Sequence, residues 1–253
     1  MSKQSILVIG DACIDEFAYG KCTRLCPDAP VPVFIPSKKI QNGGMSKNVQ
    51  ANVEALGIEC DILCQKNLVH KTRYVDEKTN HTFIRVDTGE NRIERCNRSN
   101  LHSNILQNYS AIIISDYNKG YLHEEDIESI CENHPLVFVD TKKHVDNFCK
   151  NAAFIKINEI EYNNSKKILD SGKFDDKLIV TLSERGCRYK SQIFPVNEVE
   201  VKDMSGAGDT FMASLVCSYL ETGDIYKSIK FANKCASKVV QKKGVVTIEN
   251  NMD

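Results

Sequence analysis

The sequence has no apolar run approaching the roughly 18 residues that a membrane-spanning helix needs, and no excess of either charge. Its formal net charge is -1, with acidic and basic residues scattered along 253 positions. That balance argues against a nucleic-acid stripe or a membrane-seeking face, so neither partner is expected. The opening Met1-Ser2-Lys3-Gln4 passes straight into Ile6-Leu7-Val8-Ile9 and then Gly10-Asp11. This is too short and too soon polar for a signal peptide, and it predicts a first buried strand in a cytoplasmic protein. Cys-x-x-Cys spacing is missing among the 11 cysteines; the nearest pairs are Cys22/Cys26 and Cys60/Cys64, and no histidine pair has metal-ligand spacing. Cys217 and Cys235 sit in apolar stretches where a thiol behaves as a small hydrophobe, so reduced structural thiols are expected. No Walker A loop, internal repeat, low-complexity stretch or linker interrupts the chain, and a single domain over residues 1–253 follows.

What is present reads as an α/β protein. Ala111-Ile112-Ile113-Ile114, Val137-Phe138-Val139, Phe154-Ile155-Lys156-Ile157 and Leu178-Ile179-Val180-Thr181 are short apolar runs. Helical stretches around Glu124 to Cys131 and Glu159 to Leu169 separate them, the alternation expected of a mostly parallel sheet flanked by helices. Two long helices close the chain. Phe211, Leu215 and Tyr219 mark the first; the second runs from about Ile225 to Lys242, with Asp224 as N-cap and Gly223 and Gly244 at the ends. Segments of about 13–40 and 71–88 are strand-like, and prolines 27, 30, 32 and 36 suit edge strands. They predict a small β-layer inserted in the domain, with a helix from Ser46 to Leu56 returning to the main sheet and stopped by Gly57.

The densest chemical signal is Asp203-Met204-Ser205-Gly206-Ala207-Gly208-Asp209-Thr210-Phe211. Small residues before a long helix let backbone N–H groups converge on a phosphate, and the helix dipole favours anions there. Asp209, in the first turn, is placed to accept a proton from an attacking hydroxyl. The same dipole is expected to lower its pKa. A plain helix-packing turn would also explain Gly-x-Gly; as a dinucleotide fingerprint it fails, because Phe211 replaces the third glycine. Two further segments keep it company. Gly10 to Asp15 follows the first strand, where Asp15 can hold sugar hydroxyls at a sheet's carboxyl edge. Asn42-Gly43-Gly44 with Asn48 offers close backbone approach and an amide toward a polyol. Taken singly, each reads equally well as a solvated loop or a simple turn.

With Asn158-x-x-Glu161 and Thr181-Leu182-Ser183-Glu184-Arg185-Gly186 added, these elements occur in one order across almost the whole chain. In that set and order the chain resembles the ribokinase-like (PfkB) carbohydrate kinase family. Ile9-Gly10-Asp11, Ala29 to Val33, Ser115-Asp116-Tyr117-Asn118-Lys119-Gly120 and Phe231-Ala232-Asn233 are similar to the family branch that phosphorylates D-glycero-β-D-manno-heptose 7-phosphate at its anomeric hydroxyl. The resemblance implies ATP and Mg²⁺ as cofactors, with Asp209 as base and the Gly206, Ala207 and Gly208 amides as anion hole. It implies Thr181, Ser183, Gly186, Gly206, Gly208 and Asn233 around the nucleotide, and Asn158 and Glu161 organising Mg²⁺ through water. Asp15, Asn42, Gly43, Gly44, Asn48, Asp116, Lys119 and Arg73 are implied on a sugar, or sugar phosphate, with Arg24 and Arg85 as further cations. The β-layer is implied to be a lid that also joins a homodimer.

The sequence departs from related heptose kinases between Gly57 and Arg73, where a helix and strand are missing, and around Val196 to Val201. Met204 stands where a small polar residue is common, a change without a physical account. Another sugar or a nucleoside as acceptor, an idle ATP- and sugar-binding scaffold, and a nicotinamide-dependent oxidoreductase are the competing readings.

Overall fold

The computed structural model describes residues 4–248; Met1 to Lys3, read above as the lead into the first strand, lie outside them. The chain runs β1 (Ser5–Gly10), β2 (Ala12–Leu25), β3 (Pro32–Met45), α1 (Ser46–Ala55), β4 (Glu59–Leu63), β5 (Val69–Asp76), β6 (Thr82–Thr88), α2 (Ser103–Leu106) and β7 (Ala111–Asp116). It continues through α3 (Glu124–Asn133), β8 (Val137–Thr141), β9 (Phe154–Asn158), α4 (Glu159–Asn164), α5 (Lys166–Leu169) and β10 (Leu178–Thr181). β11 (Cys187–Tyr189), β12 (Gln192–Phe194), α6 (Ala207–Thr222) and α7 (Ile225–Val239) complete it.

Eight strands form the main sheet in the order β12-β11-β10-β9-β8-β7-β1-β4. Pairing is parallel from β10 through to β4, and β11 and β12 add an antiparallel edge. Successive side chains of a strand point to opposite faces, and the two cores divide accordingly. Leu7, Ile9, Ile112, Ile114, Val137 and Val139 pack with Ile127 and Ile130 of α3 on one side. On the other, Ile6, Val8, Ile113, Phe138 and Ile179 meet Val49 and Val53 of α1, Phe211 and Leu215 of α6, and Ile229 of α7. Burial on both faces is why these strands read as continuous apolar runs.

A second sheet of four strands has the order β3-β2-β5-β6. β2 pairs β3 antiparallel and β5 parallel, so β3, with Pro32 and Pro36, is an edge strand, as its prolines require. α7 starts at Asp224, whose side chain accepts from the Tyr226 and Lys227 amides, and Gly223 caps α6 in the left-handed conformation. α7 ends at Val239, three residues short of the expected Lys242. All eleven cysteines are free. Among the described residues no helix is long and apolar enough to cross a membrane.

Candidate active site

Parallel strands bring their carboxyl ends to one edge of a sheet, and ligands gather there. Along that edge lie Gly10, Asp116, Thr141, Asn158 and Thr181, at the last positions of β1, β7, β8, β9 and β10. α6 begins beside them. Its N-cap, Gly206, has φ 82°, a left-handed turn that a side chain disfavours. A Cβ at Gly206 would also lie 2.6 Å from Asn48 Nδ2.

Asp209, in the first turn of α6, is 4% exposed. Asn48 Nδ2 donates to its Oδ2 at 2.9 Å, and the Tyr117 hydroxyl donates to its Oδ1 at 2.7 Å. Asn48 is fixed in turn by Asn52, whose Oδ1 accepts from Thr210 of α6, so a chain of amides ties α1 to the turn after Asp209. Burial pushes the Asp209 carboxyl above the ordinary range; hydrogen bonds from Asn48 and Tyr117 and the Lys156 charge oppose this, and Asp140 adds to it. The expectation of a lowered pKa is therefore corrected: desolvation outweighs the helix dipole. In the turn itself, the Ala207 amide is spent on the Met204 carbonyl at 3.3 Å.

Sequence reasoning missed three groups near Asp209. Lys156 of β9, 3% exposed, pairs with Asp140 Oδ2 of β8 at 2.6 Å, and its Nζ lies 3.1 Å from where a Gly208 Cβ would stand. A lysine inside the apolar run 154–157 was the signal available. Lys142 pairs with Glu161, and the third group is Tyr117. The Lys71 and Lys142 ammonium groups lie over the Tyr117 ring, 5.6 and 5.5 Å from its centroid.

Of the residues expected on a sugar, Asn48 reaches Asp209, and Asp15 sits beside Cys13 and Gly44. Asp15 of β2 is buried; Arg73 Nη1 donates to its Oδ1 at 2.5 Å and the Cys13 thiol lies 3.7 Å from its Oδ2. Gly44 is required there, since a Cβ would stand 2.1 Å from Asp15 Oδ2. Gly43 packs on the Lys47 stem, and Asn42 donates to the Val245 carbonyl. Asp116 and Lys119 are engaged elsewhere. Asp116 accepts from Thr141 and Lys143, and Lys119 pairs with Glu90. Asp11 accepts the Tyr117, Lys119 and Tyr121 amides, so the loop after β7 is built around a buried carboxylate and delivers Tyr117 to Asp209. Arg24 is exposed, and Arg85 pairs with Asp87 on β6. A cleft of about 500 Å³ lined by Asn118, Lys119, His123 and Lys143 adjoins this loop, and Asp209 is not among its lining residues.

Of the residues expected on a nucleotide, Gly186 and Asn233 meet at the Phe194 carbonyl, 2.0 Å from a Gly186 Cβ and 2.8 Å from Asn233 Nδ2. Thr181 donates to the Ile157 carbonyl at 3.3 Å, and Ser183 is held at φ 53°. Asn158 and Glu161 cap α4 reciprocally: Glu161 N donates to Asn158 Oδ1 at 2.9 Å and Asn158 N to Glu161 Oε2 at 2.8 Å. No cluster of three or more acidic, histidine or cysteine side chains forms a metal cage among the described residues. The buried Asp140 Oδ1 has no hydrogen-bond partner among the described residues and supplies an oxygen donor, whereas the Glu161 oxygens accept from Asn158 and Lys142. Such a sparse oxygen set suits Mg²⁺ that keeps most of its waters.

A buried carboxylate at a helix start, with a glycine turn and a lysine beside it, thus stands at the carboxyl edge of the parallel sheet, and comparison with known proteins gives the class as sugar kinase. The model of the pfkB family of carbohydrate kinases matches residues 37–251, and the chain belongs to that family. It is 30% identical over 292 residues to the bifunctional protein HldE of a Nitratiruptor species, covering 97% of this chain and 63% of that protein. The protein of that name from Helicobacter pylori (strain J99) is 32% identical over 294 residues, with 95% and 64% covered. The chain thus spans less than two thirds of these curated relatives. The matched stretches exceed its own 253 residues, so the relatives carry segments it lacks. Solved structures share the fold at low identity. Arabidopsis thaliana ribokinase complexed with ribose and ATP superposes with TM-score 0.71 at 14% identity, covering 98% of this chain and 96% of that one. Escherichia coli phosphofructokinase-2 in complex with potassium gives 0.72 at 12%, covering 99% and 96%.

Proposed function

We propose that this chain transfers the γ-phosphoryl group of ATP to a sugar hydroxyl, with Asp209 as general base, and that the acceptor is the anomeric hydroxyl of D-glycero-β-D-manno-heptose 7-phosphate. The observation that carries the base assignment is the buried Asp209 held by Asn48 and Tyr117 beside the Gly206 turn and Lys156. The sugar oxygen attacks phosphorus, its proton passes to Asp209, and the bond from phosphorus to the bridging oxygen breaks to leave ADP. Burial that raises the Asp209 pKa makes it a better proton acceptor than an exposed aspartate. Positioning supplies most of the remaining catalysis, because phosphoryl transfer has a loose transition state. Lys156, beside the α6 turn, would stabilise the charge that accumulates on the transferred group, and the Gly208 and Asp209 amides would add to it.

Asp15, Asn42, Gly43, Gly44 and Asn48 would hold the sugar, whose hydroxyls compete with Arg73 for Asp15. Freed from that pair, Arg73 would be available to a substrate phosphate. Thr181, Ser183, Gly186 and Asn233 would border the nucleotide. Asn158, Glu161 and Asp140 would hold Mg²⁺ through water, and the ion would neutralise charge on the nucleotide phosphates. The four-stranded sheet acts in this reading as a lid that excludes water, and as the contact of a homodimer. The heptose assignment rests on the motif resemblance and on the similarity to the two bifunctional relatives.

ADP formation measured with Mg·ATP and a panel of heptose 7-phosphate, hexoses, pentoses, their phosphates and nucleosides tests the proposal. Heptose-dependent turnover is expected, with Asp209→Asn reducing kcat by about 10²–10⁴ and leaving ATP affinity nearly unchanged. Activity should fall as pH drops through the raised Asp209 pKa, above the ordinary carboxylate range. Turnover with another acceptor alone would discard the heptose assignment. Nucleotide binding with no acceptor turned over would favour a scaffold.

A further inference from the structure

Both oxygens of Asp209 accept hydrogen bonds, one from an amide and one from a phenol. The amide belongs to Asn48, a residue expected on the sugar. The phenol belongs to Tyr117, on a loop that three hydrogen bonds to the buried Asp11 hold in place. A hydroxyl 2.7 Å from Oδ1 fixes the plane in which the carboxylate lies, and hence the direction of its free lone pairs. We propose that Tyr117 is a positioning residue for phosphoryl transfer: its hydroxyl, donated to Asp209 Oδ1, orients the carboxylate so that a free lone pair faces the acceptor hydroxyl. The inference rests on Asp209 being the base.

The surroundings keep Tyr117 a donor. Burial raises its phenol well above the ordinary value, and the negative charges of Asp209 and Asp140 raise it further, so it stays protonated. Its ring is fixed from two elements, by Lys71 of β5 and by Lys142 after β8. Because β5 belongs to the four-stranded sheet, Tyr117 also links that sheet to the base. The charged and titratable groups facing this pair are Asp140 on β8, Lys142 after it, Lys156 on β9, Lys71 on β5 and Cys13 on β2. Burial holds the Cys13 thiol at about 12, so it stays neutral. Burial pulls the Lys142 ammonium down, but the Asp140 and Glu161 charges carry it above its ordinary value, so it stays charged. Loss of the Tyr117 hydroxyl can be read against the neutral Cys13 and the charged Lys142.

A hydrogen bond to a carboxylate favours its ionised form, so removing the donor should shift the titration of Asp209 to higher pH. In protein labelled with ¹³C in the aspartate carboxyls, Asp209→Asn identifies the Asp209 signal. Tyr117→Phe, which keeps the ring between its lysines, should raise the midpoint of that signal. Tyr117→Leu, lacking ring and hydroxyl alike, should raise it in the same direction. In turnover, Tyr117→Phe should lower kcat on the order of tenfold with KM for ATP unchanged, and move the acid limb of kcat/KM to higher pH. A tyrosine serving packing alone would lower the melting temperature and leave both titrations in place. Coincident Asp209 midpoints in wild type and Tyr117→Phe would overturn the inference even in an active enzyme. Absence of sugar-dependent turnover in the wild type would instead remove the kinase reading, while the carboxyl titration still decides what Tyr117 does to Asp209.

Discussion

In the proposed reaction Asp209 has to be reachable by a sugar yet shielded from water, and glycines stand close around it. At Gly206, alanine would meet two penalties at once. The left-handed backbone costs a side chain about 1–2 kcal/mol, and the new Cβ would push Asn48 off Asp209 Oδ2. Gly206→Ala is therefore expected to lower kcat far more than stability, with chemical unfolding showing a loss of about 1–2 kcal/mol. Equal kcat in the two proteins would mean that Asn48 does not organise the base. At this scale the sequence is partly legible. Asp209, Gly206 and Asn48 stand in short glycine-rich segments that, only as a set and in order, point to a candidate site. Tyr117, Lys142 and Lys156 do not, because each reaches the site only when β7, β8 and β9 lie side by side, and strand order is not written in local spacing.

Between elements, the buried pair of Lys156 and Asp140 joins β9 to β8 across the middle of the main sheet. Removing the cation leaves an uncompensated charge in the interior, so Lys156→Met should destabilise by about 3–5 kcal/mol. Adding Asp140→Asn to Lys156→Met should restore most of the urea midpoint but none of the turnover. Recovery of both would deny Lys156 a place in phosphoryl transfer. The strands themselves were the easiest feature to read, since burial on two faces leaves runs such as 111–114 and 137–139 with no polar interruption. β4 and the antiparallel edge β11–β12 are not legible in the sequence. β4 carries Glu59, Cys60 and Asp61, and β11 and β12 have three residues each, too few to show a period. Likewise, α7 stops at Val239 because its lysine-rich end has no apolar face left to bury.

Across the whole molecule, the four-stranded sheet presents apolar side chains on edge strands, among them Ile35 and Ile40 of β3 and Ile84 of β6, the last 58% exposed. Exposed apolar edge strands invite pairing. If they form the proposed homodimer contact, light scattering should give twice the 28.5 kDa chain mass, and Ile84→Lys should give the single mass with a raised KM for sugar. A wild-type protein of single mass would remove the dimer from the proposal. The cysteines carry a different consequence. Burial holds Cys60, Cys131 and Cys187 at about 12, so the folded chain keeps these thiols protonated and unreactive. Unfolding returns them toward an ordinary thiol value and makes all eleven available to air and to one another. Heating without reductant therefore couples a reversible melt to an oxidative trap, and the apparent transition becomes a matter of scan rate, a clock rather than a balance.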